Sequence, residues 1–239
     1  MRKILSHTRA AVDDYRMIED GDKIAVGVSG GKDSLMLLKS LCELSRFYTA
    51  KFTIVAITLD MRFNKENGDY SEIKKMCDEY GVEYVVRPTD LYEIIFEVRK
   101  ESNPCALCAR MRRGMLHETA KELGCNKIAL GHHLDDAAQT FIMNLLLESR
   151  VGCFAPVTYL SRRDITMIRP LIYTREREVE LAAERLNFPV VQSKCPANQN
   201  TKREDVKKLL DDLSAQYGDV PERIVGAMQR ANIDRWGKE

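Results

Sequence analysis

The stretch that decides the fold runs from Ile24 to Ser34 and reads IAVGVSGGKDS. Its apolar start, Ile24–Val28, predicts a short buried strand, and the periodic apolar residues of 35–46 predict a helix directly after it. Two glycines between them allow a tight turn and a close approach of a ligand to the backbone. Free amides at the start of the following helix favour an anion. The stretch therefore predicts a phosphate site on a strand–turn–helix unit.

Residues 29–34, the SGGKDS loop, supply the candidate ligands. The candidates for binding the nucleotide phosphates here are Val28, Ser29, Gly30, Gly31, Lys32, Asp33 and Ser34. The loop is not a Walker A motif, because Val26 and Asp33 stand where that motif requires Gly and Ser/Thr. The alternative is an ordinary glycine-rich turn, but the hydroxyls and the lysine in this context favour a phosphate site.

Strand-like and helix-like segments alternate along the rest of the chain. The nearly all-apolar run 52–59 is typical of a strand buried on both faces. Further strands are predicted at 82–86, 127–130 and 165–171, with 188–191 short and extended. Helices are predicted at 4–19 (ended by Gly21), 70–80 (ended by Gly81), 90–100, 105–123 (ended by Gly124), 137–148, 176–186, 202–217 and 221–233, and 149–164 and 195–201 are predicted to be irregular.

The alternation predicts a doubly wound α/β fold, with a mostly parallel, Rossmann-like sheet of about five strands covered on both faces. We expect an N-terminal helix at 1–20, a nucleotide-binding domain at 21–180 and a helical C-terminal appendage at 181–239. Asp60 follows a predicted strand, and ligands bind at this edge in open α/β sheets. Asp60 is therefore a further candidate for binding the nucleotide.

Composition narrows the class of protein. The 239 residues include 37 basic and 36 acidic side chains, a formal charge of +1, which argues against a uniformly basic nucleic-acid coat. Residues 99–113 nevertheless hold five basic residues and one acid, and 162–177 hold five arginines and two acids, so each cluster is a plausible contact for phosphate groups. A solvated surface with ion pairs is the alternative for both clusters.

The cysteine count indicates the compartment. The seven cysteines are an odd number in a long chain that opens without a secretory apolar region. We expect reduced cytoplasmic thiols rather than a disulfide scaffold. No apolar run reaches the roughly 18 residues that span a bilayer, so no membrane contact is expected.

A second constellation, Gly131-His132-His133-Leu134-Asp135-Asp136, follows another predicted strand. Gly131 permits a close approach of the backbone. The aspartates cap the next helix, or one of them holds Mg²⁺ beside phosphates. A zinc hydrolase is the weaker alternative, because the spacing differs from H-E-x-x-H.

A third constellation is Cys105-Ala-Leu-Cys108 at a predicted helix start. The i, i+3 spacing puts both thiols on nearly one face, and Arg112 returns to that face. The pair suits a redox site, half of a zinc site or part of an iron–sulfur site. Cys195, in the polar segment SKCPANQNT, is the best candidate for a third sulfur. Cys42, Cys77 and Cys125 are expected to be small buried hydrophobes, with Cys153 less clear.

SGGKDS, PCALCARMRRGML and GHHLDD, in this order, resemble the PP-loop ATP pyrophosphatases, and among them the tRNA 2-thiocytidine synthetase family of the thiolation branch. The resemblance covers roughly residues 20–200. The chain departs from the family pattern in two ways. It has the single Cys195 where a C-x-x-C-like form is common, and it lacks the paired terminal cysteines of some 2-thiouridine enzymes.

The resemblance implies an ATP-dependent tRNA sulfurtransferase that adenylates a pyrimidine carbonyl oxygen, with cytidine in the anticodon loop favoured, and then replaces that oxygen with sulfur. It implies ATP, Mg²⁺ and a [4Fe–4S] cluster on Cys105, Cys108 and Cys195, with tRNA and a sulfur donor, either sulfide or a cysteine desulfurase, as partners. Asp136 would organise the metal or the attack, and Lys32 and Arg112 would stabilise developing phosphate charge. Relatives and the amphipathic ends suggest a homodimer.

Two other functions compete with this one. The first is a PP-loop ligase or another tRNA-modifying enzyme, of the 2-thiouridine or lysidine type, without the cluster. The second is a non-catalytic nucleotide-binding module with structural cysteines. Consumption of ATP to AMP and pyrophosphate only with tRNA present would separate the enzymes from the module.

Overall fold

The computed structural model of the protein describes residues 1–63, 66–99, 104–191, 195 and 202–238. Its strands are β1 (Lys23–Gly27), β2 (Thr53–Asp60), β3 (Glu83–Pro88), β4 (Lys127–Ala129), β5 (Val157–Leu160) and β6 (Ile165–Ile168). Its helices are α1 (Arg2–Asp14), α2 (Lys32–Ser45), α3 (Ser71–Tyr80), a π-helix (Glu93–Arg99), α4 (Pro104–Glu122), α5 (Leu134–Leu147), α6 (Glu176–Arg185), α7 (Lys202–Tyr217), α8 (Val220–Arg230) and a 3₁₀ turn (Ile233–Arg235).

The described residues form a six-stranded sheet in the order β3-β2-β1-β4-β6-β5. All neighbouring pairs are parallel except β5 with β6. The predicted fold class is confirmed. The strand order reverses between β1 and β4, so the loops after these two strands meet at the carboxyl edge of the sheet, where such folds bind ligands.

Helices cover both faces of the sheet. Alternate residues of β1 show this, since Ile24 and Val26 face the core formed with α1, α2, α3 and α5, whereas Ala25 faces the core formed with α4. At the C-terminal end of the chain, α7 and α8 pack against α5. None of the described helices is long and apolar enough to cross a membrane.

The structure corrects several predicted boundaries. The first helix ends at Asp14 rather than near Gly21, and Arg16 has a positive φ of 43°. The chain turns there and buries Met17 and Ile18 in the core, so these apolar residues reflect tertiary packing rather than helix periodicity. Gly81 does end its helix, as predicted, and it adopts the left-handed conformation.

The region 149–164, predicted to be irregular, contains β5, which adds an antiparallel sixth strand at the edge of the sheet. Its partner strand β6 supplies the hydrogen bonds, so the short segment gains order only in the assembled sheet. β6 ends at Ile168 rather than at 171, and 188–191 joins no strand.

The remaining differences concern helices and undescribed segments. The helix predicted at 90–100 is the π-helix, and α5 starts three residues earlier than predicted. The predicted loop 195–201 lies outside the described residues apart from Cys195, as do Lys100 and Glu101 of the first basic cluster.

Candidate active site

The SGGKDS loop joins the carboxyl end of β1 to the amino end of α2. Gly30 has a φ of +85°, a conformation that side-chain-bearing residues rarely adopt. A Cβ built on Gly30 would also lie 3.0 Å from the Cβ of Val191, whose N–H donates to the Gly30 carbonyl at 3.0 Å. Glycine at position 30 is therefore required both by the conformation of the turn and by the close approach of the segment at Val191.

Hydroxyl groups hold the loop in shape. The backbone N–H of Ser29 donates to Ser34 Oγ at 3.1 Å, and the N–H of Gly31 donates to Ser29 Oγ at 3.3 Å. Ser34 Oγ in turn donates to the Gly31 carbonyl at 2.9 Å. Because Gly31 caps α2 without a side chain, the first amides of this helix are left for an anion.

The loop after β4 lies directly against the SGGKDS loop. A Cβ built on Gly131 would sit 3.1 Å from the carbonyl carbon and oxygen of Asp33 and 3.2 Å from the amide nitrogen of Ser34. These are backbone atoms that a side chain cannot push aside. The two predicted motifs are thus brought into backbone contact, and Gly131 makes the contact possible.

His133, and not an aspartate, is the residue that caps α5. Its Nδ1 accepts from the Asp136 N–H at 3.2 Å, while Asp136 Oδ2 accepts from the His133 N–H at 3.1 Å. His133 Nε2 lies 3.4 Å from Asp136 Oδ2 and 4.0 Å from Asp33 Oδ1. Two carboxylates from the two loops therefore flank one imidazole, and Asp136 also accepts from Arg203 at 3.1 Å.

Asp135 has a different set of partners. Arg175 binds its carboxylate through two nitrogens at 2.9 and 3.0 Å, and the Glu176 N–H donates to it at 2.6 Å. Arg175 also pairs with Asp219. The side chain of Asp135 therefore ties α5 to the start of α6.

Lys32 lies among acids. Its Nζ is 3.2 Å from Asp33 and 3.2 Å from Glu176, and Glu176 also pairs with Lys207 at 2.9 Å. Burial disfavours the charged lysine, but these carboxylates outweigh it and hold the pKa of Lys32 above its ordinary value. Although burial works against ionisation of Glu176, Lys207 and Lys32 hold its pKa at about 2. Both groups are charged at neutral pH.

Asp60 is buried at the end of β2 and is engaged by the loop that follows. Its carboxylate accepts from the N–H groups of Gly68 at 2.9 Å and Arg62 at 3.1 Å, and from the hydroxyl of Tyr70 at 3.3 Å. The described contacts of Asp60 thus fix this loop. A cavity of about 160 Å³ lies next to Tyr70, and the lining of this cavity also includes Ile73, Val190 and Val191.

The three proposed cluster cysteines are close enough to interact. Cys105 is exposed and Cys108 half-buried near the start of α4. Burial raises the pKa of Cys108; the negative charges of Cys195 and Cys105 also raise it, whereas the charge and hydrogen bond of Arg112 lower it. Arg112 therefore does return to the cysteine face. Among the described residues no group of three His, Cys, Asp or Glu side chains converges on a single metal position.

The other four cysteines are buried, as predicted for Cys42, Cys77 and Cys125, and Cys153 joins them. Burial raises the pKa of both Cys42 and Cys153 to about 12, so neither is a thiolate at neutral pH. The predicted division between site and core cysteines thus agrees with their exposure.

Several side chains at this edge were missed by sequence reasoning. Glu176, Lys207 and Arg203 reach the two loops from α6 and α7, far along the chain, and no local motif marks them. Arg169 was counted within the basic cluster 162–177 but not named individually, although it directly follows β6 at the carboxyl edge. A position just after a strand, at the edge where open α/β sheets bind ligands, was the sequence feature that could have identified it.

The fold and this edge define a nucleotide-binding α/β protein whose phosphate loop is of the PP-loop type. The family model for the PP-loop domain matches residues 3–212. The tRNA-cytidine(32) 2-sulfurtransferase of Geobacter sulfurreducens is 39% identical over 95% of this chain and 89% of its own length. That of Geobacter metallireducens is 39% identical over 97% and 90%.

Among solved structures, the U34-tRNA thiolase NcsA from Methanococcus maripaludis, determined with its [4Fe-4S] cluster, superposes with a TM-score of 0.73. It is 26% identical, and the match covers 95% of this chain and 77% of that one. The chain belongs to the PP-loop family and, within it, to the family of the tRNA-cytidine(32) 2-sulfurtransferases. The resemblance read from the three motifs is confirmed.

Proposed function

We propose that the protein is an ATP-dependent tRNA sulfurtransferase that replaces the C2 oxygen of the cytidine at position 32 with sulfur, as the names of its relatives specify for them. The observation that carries this is the backbone contact between the SGGKDS loop and Gly131, with Asp136 at the same place. That contact joins a phosphate loop to a carboxylate that can serve a metal-bound nucleotide. The family supplies the reaction type.

In the proposed reaction the carbonyl oxygen of the base attacks the α-phosphorus of ATP, and the bond to pyrophosphate breaks. Sulfur then attacks the activated carbon, and the oxygen leaves with AMP. The amides at the start of α2 and the hydroxyls of Ser29 and Ser34 would hold the phosphates. Lys32, held charged by its acidic neighbours, would neutralise the charge that develops as pyrophosphate leaves.

Two oxygen donors suit Mg²⁺ here. Asp136 and Asp33 approach the same imidazole from separate loops, and Mg²⁺ in nucleotide sites takes one or two carboxylates together with substrate phosphates. The adenine ring would fit the cavity of about 160 Å³ beside Gly30, whose lining is partly apolar.

The cysteine group suits a thiolate-bound iron–sulfur cluster. Cys105, Cys108 and Cys195 interact electrostatically, and the guanidinium of Arg112 favours the thiolate form of Cys108. If Cys105, Cys108 and Cys195 hold such a cluster, it would supply the iron chemistry that delivers sulfur to the activated carbon. The sulfur would come from sulfide directly, or from a cysteine desulfurase, whose persulfide sulfur must first be reduced to sulfide by a thiol reductant.

The test combines two measurements. We expect anaerobically purified protein to be brown and to convert ATP to AMP and pyrophosphate only when tRNA is present. We also expect nucleosides from the tRNA of a deletion strain to lack 2-thiocytidine and to regain it with the wild-type gene. Loss of a 2-thiouridine instead would assign the chain to the activity named for the Methanococcus maripaludis thiolase, and unchanged nucleosides would contradict the proposal.

A further inference from the structure

Arg169 is a buried cation that pairs with no carboxylate among the described residues. It follows β6, is 6% exposed, and donates through Nη1 to the Ala155 carbonyl and to Thr158 Oγ1 at 3.3 Å. Its guanidinium lies 4.9 Å from the centre of the Phe154 ring. Its Nε is buried and has no hydrogen-bond partner among the described residues. Buried charges are normally paired, so this one, unpaired within the described part of the chain, indicates a bound anion.

The two basic clusters of the sequence meet at this point. Lys121 of α4 donates to the backbone carbonyl of Asp164 at 3.0 Å, which fixes α4 against the turn of the β5–β6 hairpin. Arg113 lies two turns earlier on the same face of α4, about 12 Å along the helix. Asp164 and Arg169 are separated by about 16 Å along the strand that leads away from this turn. Starting from the contact between Lys121 and Asp164, the helix and the strand therefore place Arg113 and Arg169 towards the same end of the sheet.

The electrostatics agree with this geometry. Burial lowers the pKa of Arg169, and the positive charge of Arg113 lowers it further. Burial also lowers the pKa of His117, which lies between Arg113 and Lys121 on α4, and the charges of Arg163 and Arg113 lower it further. Arg113 of the helix and Arg163 of the hairpin turn thus both repel the protonated form of His117. Within the part of the chain that the structure describes, neither Arg113 nor Arg163 forms an ion pair.

We propose that Arg169, Arg113 and Arg163 form a phosphate track that holds the sugar–phosphate backbone of the RNA next to the target nucleotide. The track starts on the surface at the hairpin turn, where Arg163 is exposed, and ends at Arg169 beside the loop after β4. This proposal rests on the proposed function, since it takes the substrate to be RNA. The arginines lie at separate positions along α4 and β6, several ångströms to more than about 10 Å apart. A row of phosphates in an RNA backbone can contact all of them, whereas a free anion cannot, so an RNA backbone fits better.

The test is a salt series of equilibrium binding with a tRNA transcript that carries cytidine at position 32. The test variant is Arg113→Ala/Arg163→Ala, and both positions are exposed. The control is Arg185→Ala, an exposed arginine on α6 that likewise forms no ion pair within the described residues. ATP binding without RNA is measured in parallel. We expect the double variant to bind RNA roughly tenfold more weakly, with a salt slope smaller by about 2, and to bind ATP normally.

The other outcomes overturn the proposal in distinguishable ways. If the double variant binds RNA like Arg185→Ala while the wild type binds tightly, the track is wrong and the proposed function stands. If the double variant loses ATP binding without RNA, the anion is the nucleotide's phosphate and not that of RNA. If the wild type itself shows no salt-dependent binding of tRNA, the proposed function fails as well. Arg169→Lys, which keeps the charge but loses the planar fork, should fall between wild type and double variant.

Discussion

At the residue scale, the seven cysteines separate by environment. Cys105, Cys108 and Cys195 are at least partly exposed, and Cys105 and Cys195 each act electrostatically on Cys108, whereas the other four cysteines are buried in the cores. Arg112 contacts Cys108 and favours its thiolate. The same residue type therefore has two roles in one chain, decided by exposure and by a neighbouring cation.

Alanine at each of the three site cysteines should remove iron and thiolation. Cys105→Ala, Cys108→Ala and Cys195→Ala each delete one of three proposed ligands, so iron per chain, measured on anaerobic protein, should fall to a small fraction of wild type. Cys42→Ala is the control, because Cys42 is 5% exposed within α2 and should cost only about 1 kcal/mol of stability. Full iron content in Cys195→Ala would remove Cys195 from the ligand set.

His132 should make the protein less stable in mild acid. Burial lowers its pKa from 6.5 to about 4, so between these values the unfolded chain binds the proton and the folded chain does not. The free energy of unfolding should therefore decrease as the pH falls through this window. Urea unfolding from about pH 7 to about pH 4 should show a shallower decrease for His132→Gln than for wild type. Equal slopes would contradict this assignment.

At the scale of elements, the site depends on two loops that touch through their backbones. Neither loop could be placed against the other from its own sequence, because the contact arises from the adjacency of β1 and β4 in the sheet. At Gly131 the two backbones lie so close that an added Cβ would meet the Asp33 backbone at 3.1 Å.

Gly131→Ala should separate the two loops. Its Cβ would meet the Asp33 backbone at 3.1 Å, so we expect a loss of about 1–3 kcal/mol in stability and weaker ATP binding, measured by calorimetry and equilibrium dialysis. The matched control is Gly226→Ala in α8, where the nearest atoms belong to the flexible end of Arg230. That variant should gain about 0.5–1 kcal/mol and bind ATP normally. Normal ATP binding by Gly131→Ala would show that the close contact is not needed.

At the scale of the whole molecule, the C-terminal tail is packed into the core. Trp236 is fully buried, lies against Tyr15 after α1, and donates from its indole N–H to the Phe154 carbonyl at 2.8 Å. Phe154 in turn stacks near His132 and Arg169 at the candidate site. A chain of aromatic contacts thus connects both ends of the sequence to the carboxyl edge of the sheet.

Trp236→Ala should destabilise the protein by about 3–5 kcal/mol, because it removes a large buried side chain and its hydrogen bond. Tyr217→Ala is the control, since Tyr217 is 59% exposed and should change stability by only about 0.5 kcal/mol. Denaturant unfolding measures both. A change of less than about 1 kcal/mol in Trp236→Ala would mean that the tail is not part of the cooperative core.

The sequence by itself determined the fold class, the SGGKDS and GHHLDD loops, the cysteine pair and the family, because each is a local pattern of residue types at fixed spacing. Only the tertiary structure decided which residues share the site. Glu176, Lys207 and Arg203 come from distant helices, and β5 forms only against β6. Arg113 comes into electrostatic range of Arg169 only because α4 lies against the hairpin. These contacts depend on how separate elements pack, and packing is settled by the burial of apolar surface over the whole chain rather than by any one segment.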